Sequence, residues 1–181
     1  MKRTRQTTIA VLGALSLEPM TGYAVHEAIR STLGHFWGES VGQIYPALAE
    51  LERQGLVRRQ HGTRSGSSTF AITADGEARL KELLGEPVQR TPPRNGLLLR
   101  LFFGRFLGSD TCRALLEQAR CDAEQRLATL ESLHTAIAAE DTAEQRSYSL
   151  ITVSAGEHSA RAAIAWADEA LAMLDGDASR T

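Results

Sequence analysis

Arg58, Arg59 and Arg64 lie within seven residues of one another, and no acidic residue occurs between Gly55 and Ala74. Guanidinium groups with no local carboxylate suit a polyanion, above all a row of phosphates, where each contact is a charge-assisted hydrogen bond. The competing role is a solvated strand edge, which charge protects against pairing with other chains. The residues just upstream favour phosphate. Ser40, Gln43 and Tyr45 place a hydroxyl, a carboxamide and a phenol within six residues, beside Pro46, and such groups can read base edges in a DNA groove. Lys2, Arg3 and Arg5 form a second basic cluster, either an arm near the minor groove or a frayed terminus.

Presenting these groups takes a helix and a hairpin. Ser40 followed three residues later by Gln43 is a capping-box pattern that starts a helix near Val41. Ile44, Leu48 and Leu51 recur at helical spacing and face a core, while Gly55 supplies the left-handed residue that ends helices. Gln43, Tyr45 and Ala47 remain for the outer face. If the Gln43 amide is spent on the capping box, it cannot also read adenine through two bonds. Pro46 lacks a donor and would clash with the Gly42 carbonyl in a regular helix. The first turn is therefore expected to be kinked, and Pro46 either aims Gln43 and Tyr45 into the groove or only shapes the start of the helix.

Leu56 to Gln60 and Ser68 to Thr73 read as strands around a Gly/Ser-rich turn at 61–67. Upstream, a helix over Thr8 to Leu17 is followed by a break at Glu18 to Gly22, in which Thr21 can cap a second helix from Tyr23 to about Leu33. The order helix, turn, helix, loop, helix, hairpin is that of a winged helix-turn-helix, which lays its third helix in the DNA major groove. His35, Phe36 and Trp37 read as a packing wedge that sets the angle of that helix.

The run Leu15 to Gly22 with its Pro-Met-Thr-Gly-Tyr break, the run His35 to Ser40, Gly42-Gln43-Ile44-Tyr45-Pro46-Ala47-Leu48, and Leu51-Glu52 before Gly55-Leu56 together resemble the N-terminal domain of PadR-type transcriptional regulators. The second half is similar to the family's larger subgroup through Pro92-Pro93-Arg94, Leu98 to Gly104, and two long helices carrying Trp166 near the end. The resemblance covers about the whole chain. It implies a homodimeric DNA-binding regulator, usually a repressor, sometimes tuned by a small aromatic or drug-like molecule.

The expected architecture is mainly α. It comprises a winged helix-turn-helix with a two-stranded wing at 1–85, a linker at 86–95 whose prolines interrupt any helix, and a C-terminal long-helix dimerisation domain at 96–181. Leu97 to Leu107 is apolar on most sides. Core packing against the next helix is expected there, with a subunit seam as the alternative, and Phe102, Phe103 and Phe106 beside Arg100 and Arg105 could hold a flat anionic molecule. Ser109 starts what reads as the longest helix, with Leu116, Ala123, Leu127, Leu130 and Ile137 along one stripe. A capping pattern at 141–144 precedes a last helix carrying Tyr148, Ile151, Ala155 and Trp166. Both stripes are assigned to a homodimer seam.

With 181 residues and a net charge of −2, the chain carries no global basic signal. Its halves differ: residues 1–85 hold ten Lys/Arg against eight Asp/Glu, and 86–181 hold ten against fourteen, which places nucleic acid on the first half. No secretory signal or membrane-length run is visible, so a cytoplasmic protein is expected. Cys112 and Cys121 fall on opposite faces of one helix and read as reduced thiols, with an intersubunit or redox role as the lesser alternative. No phosphate loop, nucleophile elbow, zincin pair or zinc-type cysteine cluster occurs. His134 and His158 could meet across the long helices, as an ordinary contact. Neither a catalytic residue, a metal nor a cofactor is expected. The partners called for are double-stranded DNA, a second copy of the chain and, as the resemblance implies for some members, a small aromatic effector, without a membrane. The alternatives are a winged-helix adaptor for another protein and a small-molecule-binding protein without DNA affinity.

Overall fold

The computed structural model describes residues 2–61, 68–88, 94–139 and 143–178. Arg64 and the Asp141–Thr142 start of the second capping pattern lie outside them, as do the side chains of Lys2 and Arg3. The chain divides into two compact units, Met1–Arg90 and Thr91–Thr181.

In the first unit α1 (Lys2–Leu15) leads through β1 (Met20–Thr21) to α2 (Gly22–Ala28), which widens into a π-type turn, Ile29–Leu33. Then come α3 (Val41–Arg53), β2 (Val57–His61), β3 (Ser68–Ile72) and α4 (Ala74–Gly85). Thr21 caps α2, its Oγ1 accepting from the Ala24 amide at 3.1 Å. Because α1 begins at Lys2, the stretch read as either an arm or a frayed terminus forms the first turn of a helix.

Val11, Leu12 and Leu15 of α1, Val25 and Ile29, and Ile44, Leu48 and Leu51 of α3 form the core with Val57, Phe70 and Leu83. The buried face of α3 is the one its spacing predicts. α3 ends as a Schellman turn: Gly55 has φ of 72°, the Leu56 amide donates to Leu51 O at 2.9 Å and the Gly55 amide to Glu52 O at 3.0 Å. Thr73 then ties the corner together. Its hydroxyl lies 2.8 Å from Gly55 O, and its Oγ1 accepts from the Gly76 amide to cap α4.

The sheet has three antiparallel strands, in the order β1, β3, β2. The third strand was not foreseen. β1 is two residues long, too short for any period-2 pattern, and exists because Met20 lies opposite Phe70.

The second unit comprises α5 (Gly96–Phe102), a 3₁₀ turn at Gly104–Phe106, α6 (Ser109–Ala138) and α7 (Ala143–Ala178). The longest helix is α7, with 36 residues against 30 for α6. α6 and α7 form an antiparallel pair, burying Leu116, Ala123 and Leu130 with Val153, Ala160 and Ala167. Ion pairs cross it: Arg113 with Asp175, Arg120 with Asp168 at 2.6 Å, and Arg161 with Glu131 at 2.8 Å.

α5 has no buried residue, so the core packing expected there does not occur within this unit. The apolar run is cut at Gly104, leaving Phe102 82% and Phe106 73% exposed.

Candidate nucleic-acid interface

The outer face of α3 begins with the capping box. Gln43 Oε1 accepts from the Ser40 amide at 3.2 Å and from the Ser40 hydroxyl at 3.1 Å, while the Gln43 amide donates to Ser40 O at 2.9 Å. The carboxamide oxygen is thus engaged, and two-bond recognition of adenine requires this box to open. Tyr45 is half exposed. Its ring is not simply outward, because Cε1 rests against the Gly22 backbone at the start of α2. Pro46 is exposed, and α3 runs unbroken through it. The helix continues because the one bond that Pro46 cannot make, to Gly42, lies at a solvent-exposed turn near the helix start.

Between α1 and α3 lies a cleft of about 320 Å³, lined by Thr7, Thr8, Gly42, Gln43, Pro46, Ala47 and Glu50. Thr7 is buried and donates from Oγ1 to Glu39 Oε1 at 2.9 Å, fastening α1 to the segment before α3. Toward its end α3 turns acidic. Glu50 accepts from Arg53 at 2.9 and 2.5 Å and from Gln54 at 2.5 Å, and these bonds, Arg53 first, hold its carboxyl down at about 2. The uncharged outer surface is therefore confined to Ser40 through Ala47.

The basic residues separate into two kinds. Arg58 is exposed and forms no ion pair with the described residues. Arg59 does not stand free: its Nη2 lies 3.3 Å from Glu52 Oε2, and its guanidinium carbon is 5.2 Å from the Phe70 ring centre. Arg5 is paired with Glu86. Sequence reasoning missed Glu52, Gly22 and the Thr7–Glu39 bond. Each acts across a chain reversal, where helix or strand periodicity says nothing about neighbours.

In the second unit the residues assigned to a subunit seam also divide. Leu116, Ala123 and Leu130 are enclosed between α6 and α7, with Leu127 and Ile137 half-buried along the same stripe. The partner helix this stripe needs is α7 of the same chain. Tyr148, Ile151, Ala155 and Trp166 are exposed, and at roughly 100° per residue they fall, with Met173, within about 60° of one another on a side of α7 turned away from α6. His134 pairs with Glu157 at 2.9 Å, whereas His158 Nδ1 lies 2.8 Å from Ser154 O, so the two histidines have separate partners. Among the described residues no group of His, Cys, Asp or Glu could hold a metal, and no helix is long and apolar enough to cross a membrane. Cys112 is buried and Cys121 exposed, both free.

Residues 11–82 match the transcriptional regulator PadR-like family, and residues 93–175 match the virulence activator alpha C-terminal domain. Over 180 residues the chain is 25% identical to the negative transcriptional regulator PadR of Bacillus subtilis (strain 168), covering 93% of this chain and 97% of that one. The fold matches crystal structures of Bacillus subtilis PadR in complex with operator DNA, with a TM-score of 0.78, 21% identity and coverage of 92% and 98%. It also matches that protein in complex with p-coumaric acid, with a TM-score of 0.75, 22% identity and coverage of 93% and 98%.

Proposed function

We propose that the chain, whose residues 11–82 match the PadR-like family of transcriptional regulators and residues 93–175 the virulence activator alpha C-terminal family, binds operator DNA as a cytoplasmic homodimer, with α3 in the major groove and the β2–β3 wing against the sugar-phosphate backbone. The observation that carries this is the uncharged, exposed start of α3 set next to a basic hairpin. Ser40, Gln43, Tyr45 and Pro46 make the groove contacts. Phosphate contacts come from Arg58, from Arg64 between the strands, and from Lys2 and Arg3 in the first turn of α1. Arg5 joins them only by leaving Glu86.

The second copy covers the exposed stripe Tyr148, Ile151, Ala155, Trp166 and Met173 of α7. Two reading heads then grip a roughly palindromic site. Repression is supported by the name of the Bacillus subtilis relative. A small aromatic acid as effector is supported by that relative's p-coumaric acid complex. This chain's exposed Phe102, Phe103 and Phe106 suit such a molecule, with Arg105 stacked 4.5 Å over Phe106.

Sequencing the genomic fragments retained by the purified protein tests the proposal. Recovery of a common palindrome, bound in a salt-dependent gel shift, is expected. Retention of no DNA at any salt concentration would leave a protein-binding or ligand-binding role.

A further inference from the structure

The guanidinium of Arg59 is held by groups from two other elements. In the sheet register Arg59 lies directly opposite Phe70, whose ring is buried in the core and faces the cation at 5.2 Å. From α3, Glu52 closes an ion pair at 3.3 Å. One side chain thus ties the recognition helix, the first wing strand and the second wing strand together. Strand alternation puts Arg59 on the side of β2 that carries buried Val57, and Arg58 on the other. Arg58 is exposed and meets no acid among the described residues. A planar guanidinium can stack on a ring and pair with a carboxylate together, which an ammonium does poorly.

We propose that Arg59 is a positioning residue that fixes the angle between α3 and the wing through Glu52 and Phe70, and that Arg58 alone of this adjacent pair binds phosphate. The inference rests on the DNA-binding reading above and assigns two neighbouring arginines opposite tasks within it.

The test measures salt-dependent binding of the full chain to a random-sequence duplex and to a duplex selected from a random pool by the wild type. For Arg58→Gln the log–log salt slope on the random duplex falls by about one, the signature of a lost phosphate contact. For Arg59→Gln and Arg59→Lys that slope stays at the wild-type value, while the ratio of selected to random affinity falls. Glu52→Gln lowers the same ratio roughly two- to fivefold, the scale of an exposed ion pair, although it removes a negative charge near DNA. Thermal unfolding checks that each variant is folded, and Glu52→Gln, at a helix surface, carries the test if an Arg59 variant is not.

Equal slope losses for Arg58→Gln and Arg59→Gln would overturn the proposal. So would a fully competent Arg59→Lys, or a Glu52→Gln with an improved ratio, since those results make Arg59 a phosphate ligand that Glu52 restrains. Wild-type protein that binds neither duplex would instead remove the DNA-binding reading itself.

Discussion

The Cε1 atom of Tyr45 stands 2.7 Å from where a Cβ on Gly22 would sit, so the ring of this residue, proposed above for the groove, rests directly on the first residue of α2. Gly22→Ala must displace the ring, and because the ring is half exposed it can swing outward rather than disrupt the core. The expected result is a small fall in the unfolding midpoint with a clear loss of operator affinity. Tyr45→Phe keeps the ring and deletes only the hydroxyl. It should cost about 1 kcal/mol of operator affinity, the scale of one hydrogen bond, at unchanged thermal stability. Loss of stability in both variants at intact affinity would make the pair a core contact with no part in recognition.

A harder constraint sits at the corner between α3 and the wing. A Cβ on Gly76 would lie 2.1 Å from Leu56 O and 2.8 Å from Ile72 Cγ1, and a backbone carbonyl in a hydrogen-bonded corner cannot yield as a side chain can. Gly76→Ala should destabilise the first unit by roughly 1–3 kcal/mol, the usual cost of overpacking. Gly85 ends the same helix with nothing within 4 Å of its would-be Cβ, so Gly85→Ala is the control and should leave stability unchanged or slightly raised. Denaturant unfolding of the two variants side by side decides the matter. Equal stability would mean that α4 can shift away from the corner.

These two contacts mark where legibility ended. The Ser40–Gln43 box, the Ile44–Leu48–Leu51 face and the Gly55 stop were readable because each depends on residues within one or two helical turns. The Tyr45–Gly22, Arg59–Glu52 and Met20–Phe70 pairs bring together segments whose approach is set by the whole core. The stripe on α6 was seen correctly as needing a partner helix, yet periodicity cannot say which chain supplies it. α7 carries two apolar faces, and its abundant Ala, Gly and Ser blurred the boundary between them.

Acid should act on the α6–α7 pair through Glu157. Burial raises its affinity for a proton, but the hydrogen bond and charge of His134, then those of Arg161, outweigh burial and hold its carboxyl below the ordinary glutamate value. A carboxyl depressed in the folded state contributes stability that is fully present above its unfolded pKa, about 4.3. That contribution disappears as pH falls through the lower folded value. Helicity of the wild type should therefore drop on acidification below about pH 4.3, and Glu157→Gln should be less stable at neutral pH but flatter across the acid range. A Glu157→Gln acid profile parallel to that of wild type would show that other carboxylates dominate.

The seam between α6 and α7 and the outer face of α7 make opposite predictions for one kind of substitution. Leu130 is 1% exposed against α7, whereas Ile151 is 66% exposed on the stripe assigned to the second subunit. A glutamate at position 130 places an unpaired charge inside the chain's own helix pair, at a cost of several kcal/mol, so Leu130→Glu should unfold the second unit. Ile151→Glu leaves that pair intact and should give a folded monomer, because the charge meets only the subunit seam. Specific DNA affinity depends on gripping two half-sites at once, and loss of the linkage between heads removes that gain. Ile151→Glu should therefore lose operator binding while residual, salt-sensitive affinity for any duplex remains. Light scattering and circular dichroism on both variants, beside a gel shift, check each step. A dimeric Ile151→Glu would move the seam elsewhere, and a monomeric one with undiminished operator affinity would sink the dimeric mechanism.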